Sequence, residues 1–227
     1  MKKSPLKVIV TITLIVVVLL VLLVVLVNRN STSFGTEFDE TPSTEGQPIN
    51  GEADAPVTVV EFGDYKCPGC KVWDESIYPQ LEQDYIDNGD VQFSYVNTPF
   101  HGEESQLASL AAEAAYAQNP DAYWEFHHAL FAEQTDQQIA WVTVDKMEEI
   151  AESVEGIDAE ALREDIEEAL TENAEDNALV AEVERDTELL NEFNVDSTPS
   201  VMVNDVMIED PFDYETIQQA IDEELGE

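Results

Sequence analysis

Only two cysteines occur in these 227 residues, Cys67 and Cys70, and that scarcity rules out a scaffold of several disulfides. Basic residues are nearly as scarce: nine Lys and Arg stand against 50 Asp and Glu, for a formal charge of −41. Four of the nine, Lys2, Lys3, Lys7 and Arg29, precede the first acidic residue, Glu37, so only five serve the rest of the chain. A surface so negative repels phosphate backbones and excludes nucleic acid as a partner. The chain also lacks a Gly-rich phosphate loop and a Gly-x-Ser-x-Gly elbow, which removes the usual nucleotide-binding and serine-hydrolase signatures. It has no EF-hand pattern, so the Glu-rich stretches read as solvated charge rather than calcium ligands. Such self-repulsion suits a salty exterior, because the Debye length falls to about 3 Å at 1 M ionic strength. Disorder, the competing explanation of the charge, conflicts with a content of 44% hydrophobic residues.

What the N-terminal portion does have is residues 8–27, an uncharged run built almost wholly of Val, Leu and Ile. A helix of that length spans a bilayer. Three lysines precede it and only Arg29 follows, so the positive-inside bias puts residues 1–7 in the cytoplasm and everything after the anchor outside. A cleaved signal peptide is the alternative, with Ser31-Thr32-Ser33 as a weak small-residue site. No cysteine stands here to accept a lipid. Residues 28–55, rich in Ser, Thr, Glu, Gly and Pro, read as an extracellular tether.

The two cysteines sit in Lys66-Cys67-Pro68-Gly69-Cys70-Lys71. A bridge across two residues closes almost no loop, so stability is a poor reason for it. The β-branched run Val57-Thr58-Val59-Val60-Glu61-Phe62 before it predicts a buried strand, and Pro68 suits the first turn of a helix. Cys67 then lies at a helix N-terminus, where free N–H groups favour its thiolate. Strand, turn and a helix opened by Cys-x-x-Cys make a redox arrangement. The pair as half of a zinc site is the rival; four ligands are usual, and His101, His127 and His128 are the residues left to complete one. Of these, His127 falls on an apolar helix face and reads as a core histidine, while His128 reads as exposed.

Glu61 to Lys71 resembles the active-site segment of the DsbA-like thiol-disulfide oxidoreductases of the thioredoxin superfamily, in the subgroup anchored outside Gram-positive-type membranes. The resemblance covers roughly residues 50–227. It implies an α/β architecture for residues 56–227: a thioredoxin fold with an all-helical insertion at about 103–193, between the active-site strand-helix-strand half and the cis-proline half. The periodicity agrees. After a helix carrying Val72, Ile77, Leu81 and Tyr85, and a strand at Val91-Gln92-Phe93-Ser94-Tyr95-Val96, five apolar helical faces follow, built on Leu107, Tyr123, Val144, Leu162 and Leu179. Thr143 and Asp158 are predicted to cap the third and fourth. Strands at 200–204 and 206–208 across an Asn204-Asp205 turn, then a helix at about 213–225, finish the chain.

By that resemblance Cys67, bridged to Cys70, forms a mixed disulfide with one client thiolate that a second client thiolate resolves, Pro68 and Gly69 shape the pair, and no cofactor is needed beyond the redox-active disulfide. Thr198-Pro199 occupies the place of the family's cis proline, with Thr198 expected to bind an extended substrate segment. Glu61, six residues before Cys67, is expected to be a buried proton carrier, with Asp64 a lesser candidate. Lys66 and Lys71, two of the five basic residues available, are expected to relieve the negative field around Cys67. The partners implied are exported protein thiols and a quinone-linked membrane oxidant of the DsbB or vitamin K epoxide reductase type. A DsbC-like N-terminal dimerisation module has no room, so a monomer is expected. The predicted activity is disulfide formation in exported proteins. A reductase or isomerase on the same fold, or a non-catalytic anchored chaperone or peptide-binding module, remains the alternative.

Overall fold

The computed structural model describes residues 13–14, 16–18, 34–135, 139–171 and 176–226. The expected membrane anchor at 8–27 lies mostly outside them; among the described residues no helix is long and apolar enough to cross a membrane. Phe34 begins the unit that carries the site.

The β-branched run forms the central strand β3 (Val57–Gly63), preceded by two short strands, β1 (Gly35–Glu37) and β2 (Ile49–Asn50). β3 pairs in parallel with β4 (Val91–Asn97) and antiparallel with β5 (Ser200–Val203), which turns into β6 (Val206–Ile208). The six-stranded order is β1-β6-β5-β3-β4-β2. Because side chains alternate across a strand, Val57 and Val59 of β3 join the core of one face with Trp73, Leu81 and Ile217. Val60 and Phe62 join the other face with Leu189 and Phe193. Glu61 shares the parity of Val57 and Val59, which aims its carboxyl at the helix that carries the cysteines.

That helix, α1 (Pro68–Ser76), opens with Cys67 as its cap residue and Pro68 in its first turn. The apolar spacing of Val72, Ile77, Leu81 and Tyr85 predicts one unbroken helix, but α1 stops at Ile77. Pro79 lacks an N–H and crowds the preceding turn, so the chain restarts as α2 (Tyr78–Leu81) and a π turn at Glu82–Ile86. Val72, taken for the apolar stripe, is exposed.

Between β4 and β5 lie α3 (Glu103–Gln118), α4 (Tyr123–Glu133), α5 (Val144–Glu152), α6 (Ala159–Ala169) and α7 (Ala178–Glu192). Thr143 and Asp158 accept hydrogen bonds from the backbones of Lys146 and Ala161 as cap residues. The helices bury Ala111, Phe126, Leu130, Phe131, Met147 and Ile166 in one core with Tyr65, Cys67, Cys70 and Tyr95, so the insertion packs directly on the cysteine pair. The two-residue turn places Asn204 at φ 49, and its side chain accepts the Thr58 N–H at 2.9 Å. α8 (Tyr214–Leu225), capped by Asp213, ends the fold.

Part of the expected tether is not one. β1 pairs with β6 and β2 with β4, and Gln47 is buried between them in sequence. Strands of three and two residues are held by backbone pairing and have no side-chain period to read.

Candidate active site

The turn that leads from β3 into α1 is held from three sides. Asp64, buried, accepts from the Lys66 N–H at 2.8 Å, from the N–H groups of Phe100 and His101 at 2.9 and 3.1 Å, from His101 Nδ1 at 2.7 Å and from the Ser105 hydroxyl at 3.0 Å. These bonds fasten the turn to the start of α3 and make Asp64 a positioning group. Gln134, at the end of α4, donates to the carbonyls of Tyr65 and Cys67 at 2.7 and 3.0 Å. The Thr198-Pro199 bond is cis, and the Thr198 carbonyl lies 3.3 Å from Cys67 Sγ. A side chain at Gly69 would stand 3.1 Å from Pro199 Cδ and 3.5 Å from Cys67 Sγ, so the glycine lets the proline approach the pair. The exposed Phe212 flanks the same point.

Both thiols are free and buried, Cys70 completely. Their acidities diverge. Cys67 is lowered to about 5 by a hydrogen bond from the Cys70 thiol; burial opposes this, while the Thr198 side chain and the N–H groups of Cys70 and Gly69 add to it. Cys70 is pushed up by burial, then by its bond to Cys67 and the nearby Glu61, against one favourable N–H from Asp64 at 3.3 Å. Glu61 is 1% exposed and its Oε1 has no hydrogen-bond partner among the described residues. Burial raises its pKa well above a carboxyl's usual value, with the charges of Asp74 and Cys67 adding to the rise. A low-pKa thiol at the helix N-terminus, a partner thiol pushed up by burial and a nearby carboxyl raised by burial suit the pair to disulfide exchange.

The two lysines are engaged elsewhere. Lys66 is buried, its ammonium 3.0 Å from both Glu104 and the Ile139 carbonyl, and Glu104 also takes the N–H groups of Trp141 and Val142. Lys71 reaches the Ala132 and Gln134 carbonyls at the end of α4, at 3.2 and 3.1 Å. Neither is among the main causes of the low Cys67 pKa, which are hydrogen bonds. The expected electrostatic tuning gives way to a structural role: each ammonium ties the active-site segment to the insertion.

Sequence reasoning missed Gln134 and Asp74. Asp74 is four residues past Cys70, on the same helical face, and that spacing was the available signal. His127 is buried as expected, its Nδ1 2.9 Å from the Tyr65 hydroxyl. His128 is not simply exposed, for its Nδ1 lies 2.6 Å from Asp74 Oδ1. His101 lies by the active-site turn, bonded to Asp64. Away from the pair, Glu113 and Asp186 share a buried polar cluster with Asn97 and Gln47, and burial raises the two carboxyls to about 8 and about 6.

Residues 43–223 match the sequence profile of the thioredoxin family. The chain is 44% identical over 184 residues to disulfide bond formation protein D of Bacillus subtilis, covering 81% of this chain and 79% of the relative. The crystal structure of oxidised BdbD from Bacillus subtilis superimposes with a TM-score of 0.77 at 41% identity, over 85% of this chain and 100% of that one. Chlamydia trachomatis DsbA, at 19% identity and a TM-score of 0.67 over 78% of this chain and 90% of its own, shares the fold. A cysteine pair at the head of α1, a cis proline against it and a helical insertion packed over both accompany this similarity, and the chain belongs to the DsbA-like thiol-disulfide oxidoreductases of the thioredoxin family.

Proposed function

We propose that the enzyme works as an oxidase, forming disulfides in proteins exported past the membrane. The observation that carries this reading is the split between Cys67, lowered to about 5, and Cys70, raised by burial. A client thiolate attacks Cys67 Sγ of the bridged pair; the Cys67 to Cys70 bond breaks and Cys70 leaves as a thiolate. Glu61, its pKa raised by burial, supplies the proton that Cys70 retains. A second client thiolate then attacks the client sulfur of the mixed disulfide, and Cys67 departs as a thiolate already stable at neutral pH. The client loses two electrons and gains a disulfide; the enzyme ends reduced, with Cys67 as the thiolate, Cys70 as the thiol and Glu61 as the carboxylate.

Half-buried Thr198, before cis Pro199, offers its backbone to an extended client segment. Pro68 starts α1 without a wasted N–H, and Gly69 lets Pro199 approach the pair. The disulfide is the only redox group this cycle uses. Reoxidation falls to a quinone-linked membrane protein of the DsbB or vitamin K epoxide reductase type. The apolar run at 8–27 holds the enzyme, as a monomer, on the outer face of the membrane it shares with that partner.

Equilibration of the full chain with glutathione buffers tests the direction. A pair more oxidising than glutathione supports the oxidase, and a thioredoxin-like potential makes the protein a reductase. Refolding of a reduced secreted protein, with Cys67→Ser as the control, separates both from a binding module, whose effect would survive the substitution.

A further inference from the structure

Cys70 and Asp74 stand one helical turn apart on α1, and the second of them meets two histidines. His128 Nδ1 lies 2.6 Å and His127 Nε2 lies 3.5 Å from the same atom, Asp74 Oδ1. Among the described residues this is the one group of three ligand-type side chains whose donor atoms lie within 4.8 Å of one another. We propose that Asp74, His127 and His128 form a binding site for a divalent ion of the zinc class, independent of the cysteines, that clips α1 to α4.

The donor set is two imidazole nitrogens and a carboxylate oxygen, the combination that borderline ions such as Zn2+ take in three-ligand sites with an open fourth position. Ligands about 2.0–2.1 Å from a tetrahedral ion stand about 3.3–3.4 Å from one another. His127 Nε2 and Asp74 Oδ1 already have that separation, at 3.5 Å. The contact between His128 and Asp74 is a hydrogen bond, and replacing its proton by the ion needs it to open by less than 1 Å, roughly, on the same geometry. His128 is the ligand able to make that movement, because it is about one-third exposed, while His127 and Asp74 are buried.

A ligating histidine is normally fixed by a hydrogen bond at its other nitrogen. His127 has one, from Nδ1 to the Tyr65 hydroxyl at 2.9 Å, and Tyr65 in turn lies 3.3 Å from the Tyr123 hydroxyl. Either tautomer of His127 is satisfied by this chain, since Tyr65 can donate to Nδ1 or accept from it while exchanging a bond with Tyr123. An ion at Nε2 therefore leaves no buried polar atom stranded. The rings around the trio, Trp124, Tyr78, Phe131 and Tyr95, are aromatic and close, so the ligands have few alternative positions.

The test uses the full chain, stripped with chelator and oxidised so that the Cys67 and Cys70 thiolates cannot ligate. Co2+ is titrated in and followed by its visible absorption, then displaced with Zn2+. One Co2+ per chain, with the intense bands of a tetrahedral site, no sulfur charge-transfer band and release of a proton on binding, supports the proposal. So does a rise in thermal midpoint with Zn2+ that the variants lack. His128→Gln, on the most exposed ligand, should weaken binding by at least about a hundredfold, because loss of even an outer-sphere partner costs 10–100-fold. Asp74→Asn serves as the second variant, with far-UV circular dichroism confirming that each is folded. Absence of stoichiometric binding by the oxidised wild type, a pale octahedral spectrum from surface carboxylates alone, or equal affinity in folded His128→Gln each overturns it.

Discussion

Replacing Thr198 by Val removes a hydrogen bond to Cys67 while keeping the shape of the side chain beside Pro199. The consequence can be worked from the acidity of Cys67. At pH 7 a thiol at about 5 is stabilised as its anion over one at 9.0 by two units below neutrality, or about 2.7 kcal/mol at 1.36 kcal/mol per unit. A thiolate that must meet clients is partly solvated, and screening trims this to roughly 1.5–2.5 kcal/mol. Since about 30 mV corresponds to ~1.4 kcal/mol for a two-electron couple, thiolate stabilisation makes the pair more oxidising by about 30–50 mV. One hydrogen bond to a charged acceptor contributes about 1.5 kcal/mol or somewhat more. Thr198→Val should therefore raise the Cys67 pKa by about one unit and lower the reduction potential by about 30 mV. Thiolate absorbance against pH gives the first value, and glutathione equilibration the second. A potential that stays fixed while the pKa rises would break the link between thiolate stability and redox direction. An unchanged pKa would remove Thr198 from the set of groups that hold the thiolate.

Glu61→Gln keeps the volume and removes the buried proton carrier, so stopped-flow exchange near neutral pH should slow by roughly 100-fold or more, with the pH dependence flattened; an unaltered pH profile counts against the role. The reduced form should be more stable than the oxidised one near neutrality. Cys67 is depressed in the folded state, so this excess is full above an ordinary thiol's 9.0 and disappears as pH falls through about 5; thermal melts of both forms from pH 4 to 8 check it, and a gap that widens toward acid refutes it. Lys66→Met leaves Glu104 without its cation and frees the Ile139 carbonyl, which should cost about 1–3 kcal/mol in a urea titration while moving the Cys67 pKa little. A large pKa rise instead would restore the tuning role to this lysine.

The parts of the fold that could be read ahead were those with strong local chemistry. β3 is a largely β-branched run and β4 alternates apolar with polar residues, and Thr143 and Asp158 mark helix starts by a mechanism that acts within one turn. The cysteine pair and Pro68 identified the head of α1 for the same reason. What escaped was settled at long range. Lys66 was assigned to Cys67 because they are adjacent in sequence, whereas its partner Glu104 arrives from α3. The meeting of Asp74 with His127 and His128 depends on α1 packing against α4, which no periodicity within either helix discloses. The break at Ile77 was legible in Pro79 and lost to an apolar spacing that ran past it.

The short strands ahead of the redox domain bear on where the chain can be cut. β1 covers the outer margin of β6 and β2 that of β4, so together they close both flanks of the sheet. A soluble fragment trimmed to begin at Val57, where the hydrophobic pattern starts, would bare the margins of β4 and β6 and invite chains to stack edge to edge. Enzymatic shedding or laboratory truncation that preserves a well-behaved product has to fall upstream of Phe34, even though β1 and β2 lie at the margins of the sheet and not at the cysteine pair.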